Sequence, residues 1–201
     1  MTVRSPQKNE HDLGARERLL AAALKLFNEK GYAATSVREV VAEADVTKPV
    51  LYYYFGNKEG IFLELVQSSN TTFEGLLQGI SLEGSARESI IRFSCDLLEA
   101  IEGRLDLVRF LYAMYYGPPQ GAPSVDLEAN YFEMLELMQK LVGNGIEKGE
   151  LLPENVEDVS RAILAIVTAA IDDLMCTRDT RMGRDGMVRM LQLVMRGITK
   201  A

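Results

Sequence analysis

Along almost the whole chain apolar residues return every three to four positions, and two-residue alternation is hard to find, so the pattern predicts helices throughout. From about Ala15 to Lys30, Leu19, Leu20, Ala23, Leu24 and Phe27 share one face, and Gly31 stops the helix. Two short helices follow within residues 36–55, and a longer one starts near Asn57 and runs to about Leu77 through Ile61, Phe62, Leu65, Val66 and Phe73. At 1.5 Å per residue that helix spans about 30 Å. Further helices are predicted over Ala86–Ile101, Arg104–Tyr116, Asp126–Glu147, Asn155–Thr177 and Gly183–Gly197. Gly117-Pro118-Pro119 and Gly149 with Pro153 mark two of the breaks. Residues 1–12, a polar stretch with several charges, read as a disordered tail. The expected fold class is all-α.

The pair of short helices carries the most information. Ser36 and Glu39 have the spacing of a capping box, in which each side chain satisfies an amide at the helix start. That helix turns Val37, Val40 and Val41 inward and Arg38 and Glu39 outward. The chain turns at Ala44-Asp45-Val46 and restarts at Thr47, a good N-cap, with Pro49 where a first turn tolerates it. Two helices split by about four residues describe a helix-turn-helix, whose second helix enters the DNA major groove. Candidate DNA contacts are Ser36, Arg38, Thr47, Lys48, Pro49, Val50, Tyr52, Tyr53 and Tyr54. Lys58 joins them at the next helix start, where an ammonium and helix amides together favour a phosphate.

Residues from about Arg16 to Leu65 resemble the DNA-binding domain of the TetR (tetracycline-repressor) family of bacterial transcriptional regulators. The resemblance lies in LLAAALKLFNEKGYAATSV, VTKPVLYYYF and NKEGIF, with Phe27, Gly31-Tyr32, Thr35-Ser36, Leu51-Tyr52-Tyr53, Phe55 and Lys58 in order, and it covers about a quarter of the chain. Two positions depart from the family: Asp45 stands where glycine is usual, and Tyr54 where histidine is usual. Aspartate tolerates left-handed backbone better than most residues, so the turn should survive. The resemblance implies a three-helix helix-turn-helix head over 13–58 and a helical ligand-binding and dimerisation domain over 59–201. It further implies a dimeric repressor that binds a palindromic double-stranded operator and is released by a small apolar or aromatic inducer. The alternative is an all-helical small-molecule-binding or scaffold protein whose head is not used on DNA.

Charge bears on that choice. The net charge of −7 has the wrong sign for a polyanion partner, but its distribution answers the objection. Residues 1–58 hold nine Lys/Arg against seven Asp/Glu, a net +2, which leaves −9 on the other 143. A basic head on an acidic body lets phosphates meet the head alone and orients the encounter. With 47% apolar and 25% charged residues, the composition is that of an ordinary globular protein. The longest apolar run, Ala162–Ile171, is half of a bilayer span, and the N-terminus shows no signal-peptide pattern. Cys95 and Cys176 sit in apolar helical segments and read as reduced packing residues, or less readily as a disulfide or redox sensor. The expected compartment is the cytosol, with no membrane partner. His11 is the only histidine, and no phosphate loop, metal-spaced Cys/His set or nucleophile elbow occurs. No enzymatic activity, cofactor or metal is expected.

For the inducer, the candidate pocket residues are Phe93, Leu97, Phe110, Met114, Tyr115, Tyr131, Met134 and Met138. Methionine adapts to irregular ligands and tyrosine puts a polar handle in an apolar wall, although such stripes also build plain cores. Asp172 and Asp173 sit unfavourably near a helix C-terminus. Pairing with Arg178 or Arg181, or a cationic ligand, would account for them. The dimer interface is expected at Ile163, Ile166, Val167, Ala170, Leu174, Leu191, Val194 and Met195, because the Asn155–Thr177 helix has a second apolar face of Leu164, Thr168, Ile171 and Met175. A helix apolar on two sides must bury both. Burial of both within one chain is the other possibility.

Overall fold

The computed structural model describes residues 10–117, 121–176 and 182–199. Among these residues the chain forms α1 (Glu10–Lys30), α2 (Val37–Glu43), α3 (Lys48–Phe55), α4 (Lys58–Gln78), α5 (Ala86–Glu102), α6 (Leu105–Tyr116), α7 (Ala129–Glu147), α8 (Val156–Met175) and α9 (Gly183–Ile198). An isolated bridge between Leu151 and Thr199 is the β pairing among them. The all-α class is therefore observed, and most expected boundaries lie within one or two residues of the helix ends.

Two boundaries differ for local reasons. α1 begins at Glu10, so part of the stretch expected to be disordered is helical; once nucleated, a helix gains a hydrogen bond for each residue added. Residues 1–9 and the side chain of His11 lie outside the described residues. α7 begins at Ala129 rather than Asp126, because the Asp126 carboxylate accepts from the amides of Glu128 and Ala129, both at 3.0 Å. That side-chain turn offers the backbone an alternative to helix.

The described residues fall into two compact units that do not follow the expected division at residue 58. One unit reaches Ser69 and takes in Asp106–Val125; the other comprises Asn70–Leu105 and the residues from Asp126 on. The reason is the apolar side of α6. Leu107 and Phe110 are buried in the same core as Leu19 and Phe27 of α1, Val40 of α2, Leu51 of α3 and Phe62 of α4. Phe110 stacks on Phe27 at 5.4 Å and meets Phe62 edge-on at 5.7 Å. Truncating a ring so placed costs about 3–5 kcal/mol, so this core is incomplete without α6.

In the second unit α5 packs against α7, α8 and α9, and α8 lies against both α7 and α9. Its interior holds Phe93 and Leu98 of α5, Met138 and Leu141 of α7, Ile163 and Val167 of α8, and Leu191 and Met195 of α9. Buried hydroxyls bond backbone nearby: Ser94 donates to the Ile90 carbonyl and Ser160 to that of Val156. The turn before α5 is clamped from the end of α7. Lys148 donates to the carbonyls of Leu82 and Gly84, Asn144 also donates to Leu82, and the Glu150 carboxylate accepts the Ala86 amide at 2.9 Å. Cys95 is buried, as expected, whereas Cys176 is exposed at the end of α8. Asp173 caps α9 by accepting from the Met182 amide at 3.3 Å, which gives one of the two odd carboxylates a structural use. The pairings with Arg178 and Arg181 fall outside the described residues.

At the corner between α3 and α4 the Asn57 side chain accepts the Gly60 amide at 2.8 Å, and a Cβ on Gly60 would lie 1.9 Å from the Phe55 carbonyl oxygen. Backbone cannot yield there without shifting α3. Gly60→Ala should therefore cost at least about 1–3 kcal/mol in denaturant unfolding. Unchanged stability would mean that the corner is looser than this geometry.

Candidate nucleic-acid interface

α2 has seven residues and α3 eight, too short to persist alone, so their ends must be satisfied locally. The expected capping box is present. Ser36 Oγ accepts the Glu39 amide at 3.3 Å, and the Glu39 carboxylate accepts the Ser36 amide at 2.9 Å. At the other end the Val46 amide bonds the Val41 carbonyl and the Asp45 amide bonds that of Ala42, with Asp45 at φ 51°. That is the helix-ending motif in which a left-handed residue returns two amides to the last turn, here with aspartate in glycine's usual place. Arg18 of α1 adds a 3.0 Å bond from Nε to the Ala44 carbonyl, a cation at a helix C-terminus. α3 then starts after Thr47, whose hydroxyl makes no capping bond, with Pro49 in its first turn and Leu51 buried as its anchor.

This arrangement sorts the predicted contacts. Arg38, Thr47, Lys48, Pro49, Tyr52 and Tyr53 are exposed, with Tyr53 76% and Tyr52 50% accessible. Arg38 and Lys48 enter no hydrogen bond or ion pair among the described residues. The acids of α2 are neutralised from α1: Lys30 pairs with Glu39, and Lys25 with Glu43 at 2.6 Å. Such exposed pairs add little stability. Their consequence is electrostatic, because they cancel the α2 carboxylates while Arg38 and Lys48 keep their charge. Lys30 first, then the hydroxyl and amide of Ser36, hold the Glu39 carboxyl down at about 2.

Four expectations change. Lys58 is engaged within its own chain: its ammonium donates to the Tyr32 and Thr35 carbonyls, each at 2.8 Å, and lies 4.1 Å from the centre of the Tyr32 ring. Burial lowers its pKa. Tyr54 and Val50 are half-buried and pack against the core, Tyr54 with its ring between Tyr53 and Phe55. Ser36 is exposed, but its hydroxyl proton goes to Glu39 at 2.7 Å. Arg18, which the sequence reading passed over, holds the turn; a basic residue on the outer side of α1 was the only signal.

The predicted pocket residues are divided between the two units. Phe110 is core in the first unit and Met114 packs against that core, while Tyr115 is exposed on α6. Phe93, Leu97 and Met138 are buried in the second unit and Met134 is half-buried there. Tyr131 is exposed, its hydroxyl 3.4 Å from the Arg161 guanidinium. The expected dimer face is also corrected. Ile163, Ile166, Val167, Ala170, Leu191 and Met195 are buried within their own chain, and Leu174 and Val194 are half-buried. Three neighbouring helices supply enough apolar surface to cover both sides of α8. What remains outward is Ala162 and Ala165 on α8, with Met190 and Leu193 on α9, Leu193 being 64% accessible.

Fold and surface together define a helix-turn-helix protein with a helical second unit. Residues 19–65 match the family described as bacterial regulatory proteins, tetR family. Over those residues the chain is similar to that family. It is 32% identical over 104 residues to the probable HTH-type transcriptional regulator YttP of Bacillus subtilis, a match covering 50% of each. The chain thus spans about half the length of that relative. Among solved structures, the TetR-family protein CprB from S. coelicolor A3(2) has a TM-score of 0.70 at 22% identity, covering 93% of this chain and 90% of that one. A SmeT–triclosan complex has a TM-score of 0.70 at 17% identity, with 92% of each covered. These last two likenesses are of fold.

Two measurements test the local geometry. Asp45→Gly removes a Cβ from left-handed backbone and should raise unfolding stability by about 0.5–1 kcal/mol; a loss would mean that the carboxylate has a partner outweighing the strain. For Glu39 the folded carboxyl lies below its ordinary 4.5, so its contribution is present above that value and is lost as pH falls through 4.5 toward about 2. Unfolding curves over that range should steepen for the wild type relative to Glu39→Gln, and parallel curves would remove the proposed pairing.

Proposed function

We propose that the chain is a transcriptional regulator that binds a palindromic double-stranded operator as a homodimer, represses, and lets go when a small apolar or aromatic molecule binds the second unit. The observation that carries this reading is the outward side of α2 and α3. Lys48, Arg38, Tyr52 and Tyr53 stand clear there, while the neighbouring carboxylates are paired from α1. Lys48 reads guanine O6 and N7 in the major groove, Tyr52 and Tyr53 supply rings for thymine methyls or hydroxyls for phosphates, and Arg38 takes the backbone. Two such surfaces one helical turn apart, about 34–36 Å, match a palindrome.

The dimer forms through the outward sides of α8 and α9, where Ala162 and Ala165 allow close approach and Met190 and Leu193 supply apolar area. The inducer sits among Phe93, Leu97, Met134 and Met138 of α5 and α7, where methionine can give way to it. In support, SmeT, a protein of similar fold, has been solved with triclosan. A ligand that prefers the non-binding form by a few kcal/mol shifts occupancy enough to release DNA. The site of action is the cytoplasm, in keeping with two free cysteines and with the absence, among the described residues, of a helix able to cross a membrane.

A gel shift of the chain against its own upstream DNA is the direct test; no shift at low salt would favour a helical binding protein that does not use its head. Lys48→Ala should cost about 1–3 kcal/mol per half-site and relax preference at particular base pairs. Arg38→Ala should weaken all sequences alike and reduce the salt slope by about one phosphate contact per subunit. Leu193→Asp should give folded monomers by sedimentation with weakened operator binding, since the side chain is exposed in the single chain. A dimer of unchanged strength would place the interface elsewhere.

A further inference from the structure

Arg18 of α1 reaches across to the joint between α2 and α3. Its Nε donates to the carbonyl of Ala44, the C-cap of α2, at 3.0 Å. Asp45, with its left-handed backbone, comes next, and Lys48 opens α3 just beyond. Arg18 is exposed all the same and enters no ion pair among the described residues. Glu17 beside it in the chain and Asp45 beside Ala44 are exposed acids that do not pair with it, and the α2 acids Glu39 and Glu43 are taken by Lys30 and Lys25. One bond uses one edge of a guanidinium. With Nε committed to the carbonyl, the outer edge, formed by the two terminal Nη groups, still has its donors. A planar fork already held by one bond loses less freedom on meeting two oxygens than a loose side chain does.

We infer that Arg18 is a phosphate-binding residue of the DNA face: its Nε holds the end of α2 while its two Nη groups straddle the oxygens of one backbone phosphate beside the recognition helix. In a helix-turn-helix the first helix crosses the backbone and the second enters the groove by its N-terminal end. A guanidinium fixed to the joint between them is carried to the backbone at the edge of the groove. Fork-to-phosphate pairing is directional as well as electrostatic, so it survives the exposed acids Glu17 and Asp45 better than a point charge would. Phosphate contacts fix register rather than read sequence. Because Arg18 grips the end of α2 and the phosphate together, it sets how α3 is seated along the groove. This role rests on the operator-binding reading and adds to it an α1 side chain outside the two short helices.

The test crosses a protein variant with a change in the DNA backbone, so that a direct contact separates from a clamp on the turn. The full chain, as wild type and as Arg18→Gln, is titrated with its upstream duplex carrying one uncharged methylphosphonate at a time in place of a phosphate. Glutamine keeps a donor for Ala44 without the charge or the fork, and both proteins are compared where thermal melts show the folded state. In the wild type, replacement at one position per half-site should weaken binding severalfold. In Arg18→Gln the same replacement should cost nothing further, while every other position keeps its effect. On unmodified DNA, Arg18→Gln should bind operator and scrambled duplexes severalfold more weakly alike, with the salt slope lower by about one phosphate per subunit. If Arg18→Gln does not fold, Arg18→Lys takes its place, since one ammonium cannot hold the carbonyl and straddle two phosphate oxygens; that position should then lose most of its effect. Identical replacement profiles for wild type and variant would overturn the inference and leave Arg18 a turn clamp alone, as would altered base preference with an unmoved salt slope. A wild type that binds neither duplex at low salt fails the operator reading itself and takes this contact with it.

Discussion

Helices of seven and eight residues lose more in conformational entropy than their own hydrogen bonds return, and everything that makes this chain a DNA-binding candidate sits on two such helices. They persist because each end is satisfied by a named group and each apolar side is covered. Ser36 and Glu39 close the start of α2, the amides of Asp45 and Val46 with the Arg18 guanidinium close its end, and Leu51 fixes α3 to the core. The covering layer comes from α1, from α4 and, less expectedly, from α6. A recognition surface held this way has little freedom of its own and takes its orientation from the core beneath it.

The same economy shapes the charge. A chain of net −7 can approach a polyanion only through a surface whose carboxylates are silenced, and α1 does this for α2 with two lysine pairs. Lys58 shows the converse. A lysine at a helix start has the right address for a phosphate, yet its stem is long enough to fold back, where two carbonyls and a ring face hold it although burial disfavours its charge. Within the chain its charge organises the loop geometry.

In the second unit the side chains that suggested chemistry are mostly used for packing. Met138 and Phe93 fill the interior, and the α8 residues expected at a partner subunit are covered by helices of the same chain. This leaves Ala162 and Ala165 of α8 and Met190 and Leu193 of α9 as apolar side chains still facing outward.

Period, caps and breaks are local, and the sequence alone was enough for them: the helical class, the Ser36–Glu39 box, the left-handed Asp45, the Thr47 start of α3 and the head's family. Each depends on residues within about five positions of one another, where backbone geometry leaves few choices. Which partner an apolar face or a long side chain would take was decided by the tertiary structure. A helical stripe states that a face is buried and not against what, so Phe110 could not be assigned to the head, nor Ile163 and Ala170 to their own chain, before the helices were placed. Lys58 is the sharpest instance, since an ammonium on four methylenes reaches solvent and carbonyl alike and only the position of the Tyr32–Thr35 loop chooses between them.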